Sequence, residues 1–288
     1  MFSERTVSVG DASIHLADGP DGGEPLLFLH GVGRCWQDFV SLAGALASRW
    51  HVHAIDFRGH GRSARTPGKY LLVDYARDAV AVVTQTIERP TMLYGHSLGA
   101  MAAVAVAAER PELVRGVVLE DPPFDTMSQG IEKTPFFVLF KALRSLSSSP
   151  LSVTELARAL ADVQINPPDR PQPVRLGQAR DAASLRFMAA CLKRVDPELW
   201  APILDGRWLQ GYDTPELLRK IRCPTLLLQG NVAEGGALGE AAAAEVERLI
   251  PDCTRIQITR AGHLIHNLQH ETTLRLVAPF LESIALDR

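Results

Sequence analysis

The chain has no apolar stretch approaching the ~20 residues needed to span a bilayer. Its first residues, Met1-Phe2-Ser3-Glu4-Arg5, are polar and lead into a strand-like run. They lack the charged-then-apolar order of a secretory leader, so a cytoplasmic location is expected. Cysteine is sparse: Cys35, Cys191, Cys223 and Cys253 are widely scattered and form no CxxC pair. That argues against a disulfide frame or a thiolate zinc site and for reduced thiols. Cys35, just after the His30-Gly31 turn, is expected to be a buried spectator rather than a reactive thiol. Charge of one sign is also missing. A net charge of −3 gives no electrostatic basis for binding nucleic acid or an anionic membrane. No HExxH-type spacing occurs among the His and acidic residues, and Gly59-His60-Gly61 lacks the helix context of a dinucleotide fingerprint. No metal and no cofactor are therefore expected. There is no internal repeat, and no low-complexity tract beyond Ser147-Ser148-Ser149.

What remains is an ordinary globular composition, 46% hydrophobic and 22% charged, in 288 residues. That length suits one large domain or a core with an insertion. Thr6–Gly10 and Ser13–Ala17 read as short strands around a Gly-Asp turn. Pro25–His30, His51–Asp56, Thr91–Tyr94 and Gly116–Glu120 read as further strands. Helical spacing falls between them, at Trp36–Ser48, Leu72–Glu88 and Ala100–Glu109. Strands alternating with helices predict a doubly wound parallel sheet with helices on both faces. From Pro122 to about Pro215 the alternation stops. Helical segments at Phe136–Leu146, Val153–Val163 and Leu185–Val195 surround a proline-rich loop, Asn166–Pro173. The strand pattern resumes at Cys223–Gly230 and Thr254–Thr259, with helices near Gly239–Leu249 and Glu271–Ile284.

Gly95-His96-Ser97-Leu98-Gly99 matches the Gly-x-Ser-x-Gly elbow, with an apolar strand before it and a small-residue helix after it. A serine on such a turn is exposed near a helix N-terminus, and the crowded turn needs Gly95 and Gly99. Three other motifs end strands that converge on Ser97: His30-Gly31-Val32-Gly33, Asp56-Phe57-Arg58-Gly59-His60-Gly61-Arg62-Ser63, and Gly262-His263. Together these motifs resemble the α/β-hydrolase superfamily over nearly the whole chain. The resemblance implies an eight-stranded, mostly parallel sheet and a helical cap inserted after strand six. It also implies a triad in the order Ser, acid, His. The expected division is a core of 1–121 and 216–288 and a cap of 122–215.

A serine hydroxyl needs a base within hydrogen-bond reach. Of nine histidines, His263 is the best placed, on a loop leaving the same sheet edge as Ser97. His30 is expected to brace the oxyanion loop, and His96 to pack or line the pocket. His266 and His270 are expected to face the helix or solvent. By resemblance and geometry, the oxyanion amides belong to Val32 and Leu98. The acid departs from the common pattern. Gly230-Asn231-Val232-Ala233-Glu234 has alanine where that pattern has aspartate. Some superfamily members, including certain haloalkane dehalogenases and zearalenone lactonases, carry the acid after strand six instead. Glu120, a charge at the tip of a buried strand, is the first candidate, because it needs a partner. Glu234 and Asp121 are the alternatives, and a chain with no acid stays open. Asp56 and the Arg58–Ser63 loop are read as structural.

Trp36 and Phe124 are expected to touch substrate, along with some of Phe136, Phe137, Phe140, Trp200, Trp208 and Tyr212, most of which would form cap core. Arg34 is expected to be a solvated loop arginine rather than a carboxylate ligand. The reading is a serine hydrolase of a medium-sized apolar ester or lactone. A carbon–carbon bond hydrolase, a cofactor-free haloperoxidase-like enzyme and a silent ligand-binding protein are the alternatives. The elbow serine argues against a dehalogenase or epoxide hydrolase, which carry aspartate there. The partner is a small molecule, with neither nucleic acid nor membrane, and a homodimer is compatible with this reading.

Overall fold

The computed structural model describes residues 2–127, 130–166 and 172–286. The strands are β1 (Ser3–Val9), β2 (Ala12–Asp18), β3 (Glu24–Leu29), β4 (Trp50–Asp56), β5 (Thr91–His96), β6 (Val114–Glu120), the two-residue β7 (Gln164–Ile165) and β8 (Val174–Arg175), β9 (Thr225–Gly230) and β10 (Cys253–Ile258). Eight of them form one sheet in the order β1-β2-β4-β3-β5-β6-β9-β10. The β1–β2 and β2–β4 pairs are antiparallel and all others are parallel. This is the mostly parallel eight-stranded sheet implied by the resemblance. Central β5 is buried at every residue, as a strand covered on both faces must be. Edge strand β1 carries Glu4 and Arg5 on an exposed run, which discourages pairing with another sheet.

The helices are α1 (Val40–Leu46), α2 (Leu72–Val82), α3 (Leu98–Glu109), α4 (Pro135–Ser147), α5 (Val153–Asp162), α6 (Leu176–Ala179), α7 (Ala182–Leu192), α8 (Trp200–Leu204), α9 (Thr214–Lys220), α10 (Glu240–Leu249), α11 (Ile265–Leu268) and α12 (His270–Leu286). Helices α1 and α12 cover one face of the sheet, around Phe28, Tyr94 and Leu281. Helices α2, α3, α9 and α10 cover the other. Helix α3 is buried on all sides from Leu98 to Ala108. Its run of Ala, Gly and Val lets the sheet, α2 and α9 approach it closely.

Helices α4–α8 and the β7–β8 pair lie between β6 and β9. The helical segments expected around Phe136–Leu146, Val153–Val163 and Leu185–Val195 correspond to α4, α5 and α7. Of the expected proline-rich loop, Pro167–Pro171 lies outside the described residues. This insertion is tied down by polar contacts. The Asp196 amide donates to Gly59 O (2.8 Å), and the Tyr70 hydroxyl donates to Asp196 Oδ2 (2.6 Å). The Tyr212 hydroxyl donates to Met101 O on α3 (2.7 Å).

Candidate active site

Parallel strands put their C-terminal ends on one edge, and the chain turns there into loops and helix N-termini. Ser97 joins β5 to α3 with φ 54° and ψ −115°, a conformation that L-residues rarely adopt. The turn is held by the Ser97 amide, which donates to Glu120 O (2.9 Å). A Cβ on Gly95 would stand 2.3 Å from Gly99 O, and one on Gly99 would stand 1.9 Å from Leu29 O. Both glycines are therefore required by backbone contact. Leu98 opens α3, so its N–H has no carbonyl one turn earlier in the helix to bond.

His263 follows β10 on the same edge. Its Nδ1 lies 2.7 Å from Asp121 Oδ2. Asp121 is completely buried, directly after β6, at φ 45°. Its carboxylate also accepts backbone N–H groups from Gly230 (3.0 Å), Ala237 (2.7 Å) and Leu238 (3.2 Å). The β9 end therefore supplies amides to a carboxylate from the β6 end. A Cβ on Gly230 would come within 2.5 Å of Gly262 O and 3.2 Å of Asp121 Oδ1, so this junction closes only with glycine.

Glu120, the first candidate for His263's partner, is engaged elsewhere. Its Oε1 accepts the His266 amide (3.0 Å), both its oxygens lie 2.8 Å from His266 Nδ1, and its Oε2 accepts the Tyr94 hydroxyl (2.6 Å). Burial alone would raise its pKa, but His266 and the hydrogen bonds outweigh burial and hold it near about 2. Burial would likewise lower His266, yet Glu120 and Asp38 carry it to about 9. His266 is 3% exposed, so it is turned away from solvent, and its ring packs 4.6 Å from that of Phe39. Glu234, the other alternative, is an exposed residue ending a short 3-10 turn, and the structure brings Asp121 rather than Glu234 to His263.

The loop at His30-Gly31-Val32-Gly33 is held by histidines at the ends of neighbouring strands. His30 Nε2 accepts the Phe57 amide (3.0 Å), and its Nδ1–H donates to Gly31 O (2.8 Å). His60 Nε2 accepts the Gly33 amide (3.0 Å), and its Nδ1–H donates to Arg58 O (2.8 Å). Burial pushes His60 down to about 3, so it stays neutral and its Nε2 remains an acceptor. The bracing role of His60 was not anticipated beyond a general structural reading of its loop; its glycine flanks were the available signal. His96 is also held neutral by burial, at about 3, and its Nε2–H donates to His263 O (2.8 Å). A Cβ on Gly31 would stand 3.3 Å from Ser97 Cβ, which puts this loop against the serine. Among the described residues, neither the Val32 nor the Leu98 N–H meets a protein acceptor.

The walls differ from expectation. Trp36 packs in the core beneath α1, 5.5 Å from Phe2, rather than over Ser97. Phe124 lines a cavity of about 810 Å³ with Tyr212, Leu218 and Val246, and neither Ser97 nor His263 reaches that cavity. Aromatic cover comes from three of the candidate aromatics of the insertion, Phe136, Phe140 and Trp200. Phe136 meets the His263 ring edge-on at 5.6 Å, and Phe140 bridges from Phe136 to Trp200. Trp200 in turn stands over Gly33, 3.0 Å from where a Cβ would be. Arg34 is not solvated: its guanidinium forks onto Asp38 and lies 4.9 Å from the Phe187 ring centroid. Cys35 is buried, with Sγ 3.3 Å from Cys191 Sγ, and that contact together with burial pushes its thiol well up. It is a poor nucleophile. Half-buried Arg180 makes no ion pair with a carboxylate among the described residues. Burial, and then Arg34, push its pKa down, and neighbouring Asp181 opposes them only in part.

Comparison with known proteins agrees with this architecture. Residues 26–276 match the model of the alpha/beta hydrolase family. The 2-(acetamidomethylene)succinate hydrolase of Mesorhizobium japonicum is 26% identical over 292 residues, covering 98% of this chain and 96% of that protein. The sn-1-specific diacylglycerol lipase ABHD11 of Xenopus laevis is 28% identical over 285 residues, covering 96% and 85%. A crystal structure of E-2-(acetamidomethylene)succinate hydrolase superposes with a TM-score of 0.74 at 25% identity, covering 98% of this chain and all of the other. On the match across most of its length, the chain belongs to the alpha/beta hydrolase family, and the relatives and solved structure named above are hydrolases.

Proposed function

We propose that the protein is a serine hydrolase that cleaves carboxylic esters or lactones through an acyl-enzyme on Ser97, with His263 as base and Asp121 as acid. The observation that carries this reading is the contact of buried Asp121 with half-buried His263 on the sheet edge that also bears the strained Ser97 elbow. Because Nδ1–H of His263 donates to Asp121, the free Nε2 is the atom that would take the serine proton. The serine oxygen then bonds the acyl carbon, and the negative oxygen of the tetrahedral intermediate is met by the Val32 and Leu98 amides. Collapse of the intermediate expels the leaving group with the proton from His263. Water, deprotonated by the same nitrogen, then releases the acid.

One observation narrows the substrate. Arg180 is a half-buried guanidinium that makes no ion pair among the described residues and that neighbouring Asp181 only partly offsets, so a bound anion would be favourable there. The Mesorhizobium relative is named for a succinate substrate. We therefore favour an acyl substrate that carries a carboxylate, with Phe136 beside His263 as apolar cover. The test is hydrolysis of p-nitrophenyl esters of increasing acyl length, with and without a terminal carboxylate, alongside Ser97→Ala. Turnover and fluorophosphonate labelling that vanish in the variant support the acyl-enzyme. A folded wild-type protein that neither labels nor turns over any ester refutes it.

A further inference from the structure

A separate cluster lies at the opposite end of the sheet. His53 shares a row of the sheet with Leu27 and Leu93, four residues before Ser97, which places the cluster about 13 Å down the strands from the elbow. His51 and His53 alternate along β4 and so project from the same face. The antiparallel register sets Asp18 of β2 directly opposite His53. His51 Nε2 lies 2.9 Å from Asp18 Oδ1, and His53 Nδ1 lies 3.0 Å from that same oxygen. The two rings stand 4.1 Å apart. Only the His51 approach has hydrogen-bond geometry. His53 is 5% exposed, and its buried Nδ1 is left without a hydrogen-bond partner, although it points into the cluster. A buried ring nitrogen in that state calls for an explanation.

We propose that Asp18, His51 and His53 form a site for one divalent transition-metal ion of the zinc type. The donor atoms all lie within 4.8 Å of one another, so an ion at ~2.0–2.2 Å from each is reached by small side-chain rotations. Two imidazoles and a carboxylate suit zinc, nickel or copper, whereas magnesium prefers an all-oxygen octahedron. A fourth ligand is at hand. Asp21, fully exposed at the mouth of the cluster, has Oδ1 3.5 Å from His51 Nε2. The other charged group on Asp18 is Arg5, 3.4 Å from Oδ2 and half exposed, so it can swing into solvent. The ion would tie β2 and the turn after it to β4, where the Gly19 amide already donates to Val52 O (2.8 Å). Its distance from Ser97 makes this a stabilising site rather than part of the hydrolytic machinery.

The experiment uses the untagged full chain after EDTA treatment. Zinc chloride is titrated by calorimetry, thermal unfolding is followed with zinc or magnesium, and Co²⁺ is titrated by visible absorption. We expect one ion per chain, a melting temperature raised by zinc and unmoved by magnesium, and Co²⁺ bands of nitrogen–oxygen ligation. His51→Gln, His53→Gln and Asp18→Asn should each weaken binding by about tenfold or more. Absence of zinc binding by the wild type overturns the proposal. So does affinity unchanged in all three variants, or a thiolate-to-cobalt band that assigns the ion to Cys223 or Cys253. The Co²⁺ spectrum is read on the wild type, so it remains decisive if a variant does not fold.

Discussion

The assignment of the acid to Asp121 can be tested by Asp121→Asn set against Glu120→Gln. Asp121 Oδ1 accepts from Gly230 and Leu238, and Oδ2 accepts from Ala237 and His263. An asparagine has one acceptor oxygen for these four donors. If its NH2 replaces Oδ2, it faces the Ala237 N–H and forces His263 to present the Nδ1 lone pair. The proton then sits on Nε2, which can no longer take one from Ser97. If the NH2 replaces Oδ1, two backbone donors are stranded at ~1–3 kcal/mol each. In both placements the carboxylate charge beside the imidazolium is gone. Loss of that charge and tautomer in a comparable triad costs about 10⁴ in kcat, which is ~5.4 kcal/mol at ~1.36 per decade. Glu120→Gln has the opposite profile. It removes the nearer of the two carboxylates beside buried His266, at up to ~3–5 kcal/mol of stability, while the altered side chain touches neither Ser97 nor His263. The expected pattern is therefore a kcat loss of about 10⁴ for Asp121→Asn, accompanied by a drop in melting temperature from the donors left unpaired. For Glu120→Gln, we expect a large melting drop with kcat within about tenfold in the protein that remains folded. Ester turnover normalised to fluorophosphonate-titrated sites reads both. If Asp121→Asn keeps kcat within about tenfold while folded Glu120→Gln loses about 10³, the assignment is wrong.

Three further outcomes are expected. Ser97→Gly should abolish turnover yet raise stability by about 1 kcal/mol in chemical denaturation, since glycine relieves the strained φ of 54°; a less stable variant would show that the elbow is not strained. The Glu120–His266 pair should shape the pH dependence of stability. The raised pKa of His266 stabilises fully below its unfolded value of 6.5, and that contribution fades as pH rises through about 9. The depressed pKa of Glu120 stabilises above its unfolded value of 4.5 and fades as pH falls toward about 2. The melting temperature of the wild type should thus decline from pH 6.5 to 9, and His266→Gln should flatten that decline; an identical slope in both proteins would count against the pair. Arg180→Gln should raise KM at least about tenfold for carboxylate-bearing esters and leave neutral esters of equal length unchanged. Equal effects on both would remove Arg180 from substrate recognition.

The sheet, the elbow and the strand-end position of His263 were legible because each rests on local rules. Buried strands read as apolar runs, and backbone crowding at the elbow leaves room only for glycine at Gly95 and Gly99. The wall residues were less legible, because an aromatic in a sequence does not say which face of its helix it occupies. Trp36 went into the core under α1, and Phe124 into a cavity away from Ser97, while Phe136 came against His263 and Trp200 over Gly33. Arg34, read as a solvated loop arginine, instead forks onto Asp38 four residues on.

The acid shows most clearly where local reasoning stops. A charge at the tip of a buried strand must find a partner, and Glu120 did find a histidine, but that histidine is His266. What separates the two adjacent carboxylates is the backbone of Asp121. Its φ of 45° carries the side chain toward the end of β9, where the amides of Gly230, Ala237 and Leu238 converge on it. The absence of aspartate from Gly230-Asn231-Val232-Ala233 therefore has a structural counterpart. The loop after β9 supplies amide donors where another family pattern has a carboxylate, and the carboxylate arrives from β6. The glycines at 230, 236 and 262 are the trace of this exchange, because their backbones pack too closely for any Cβ. They were visible in the chain, but their meaning depends on three loops meeting, which no single segment encodes.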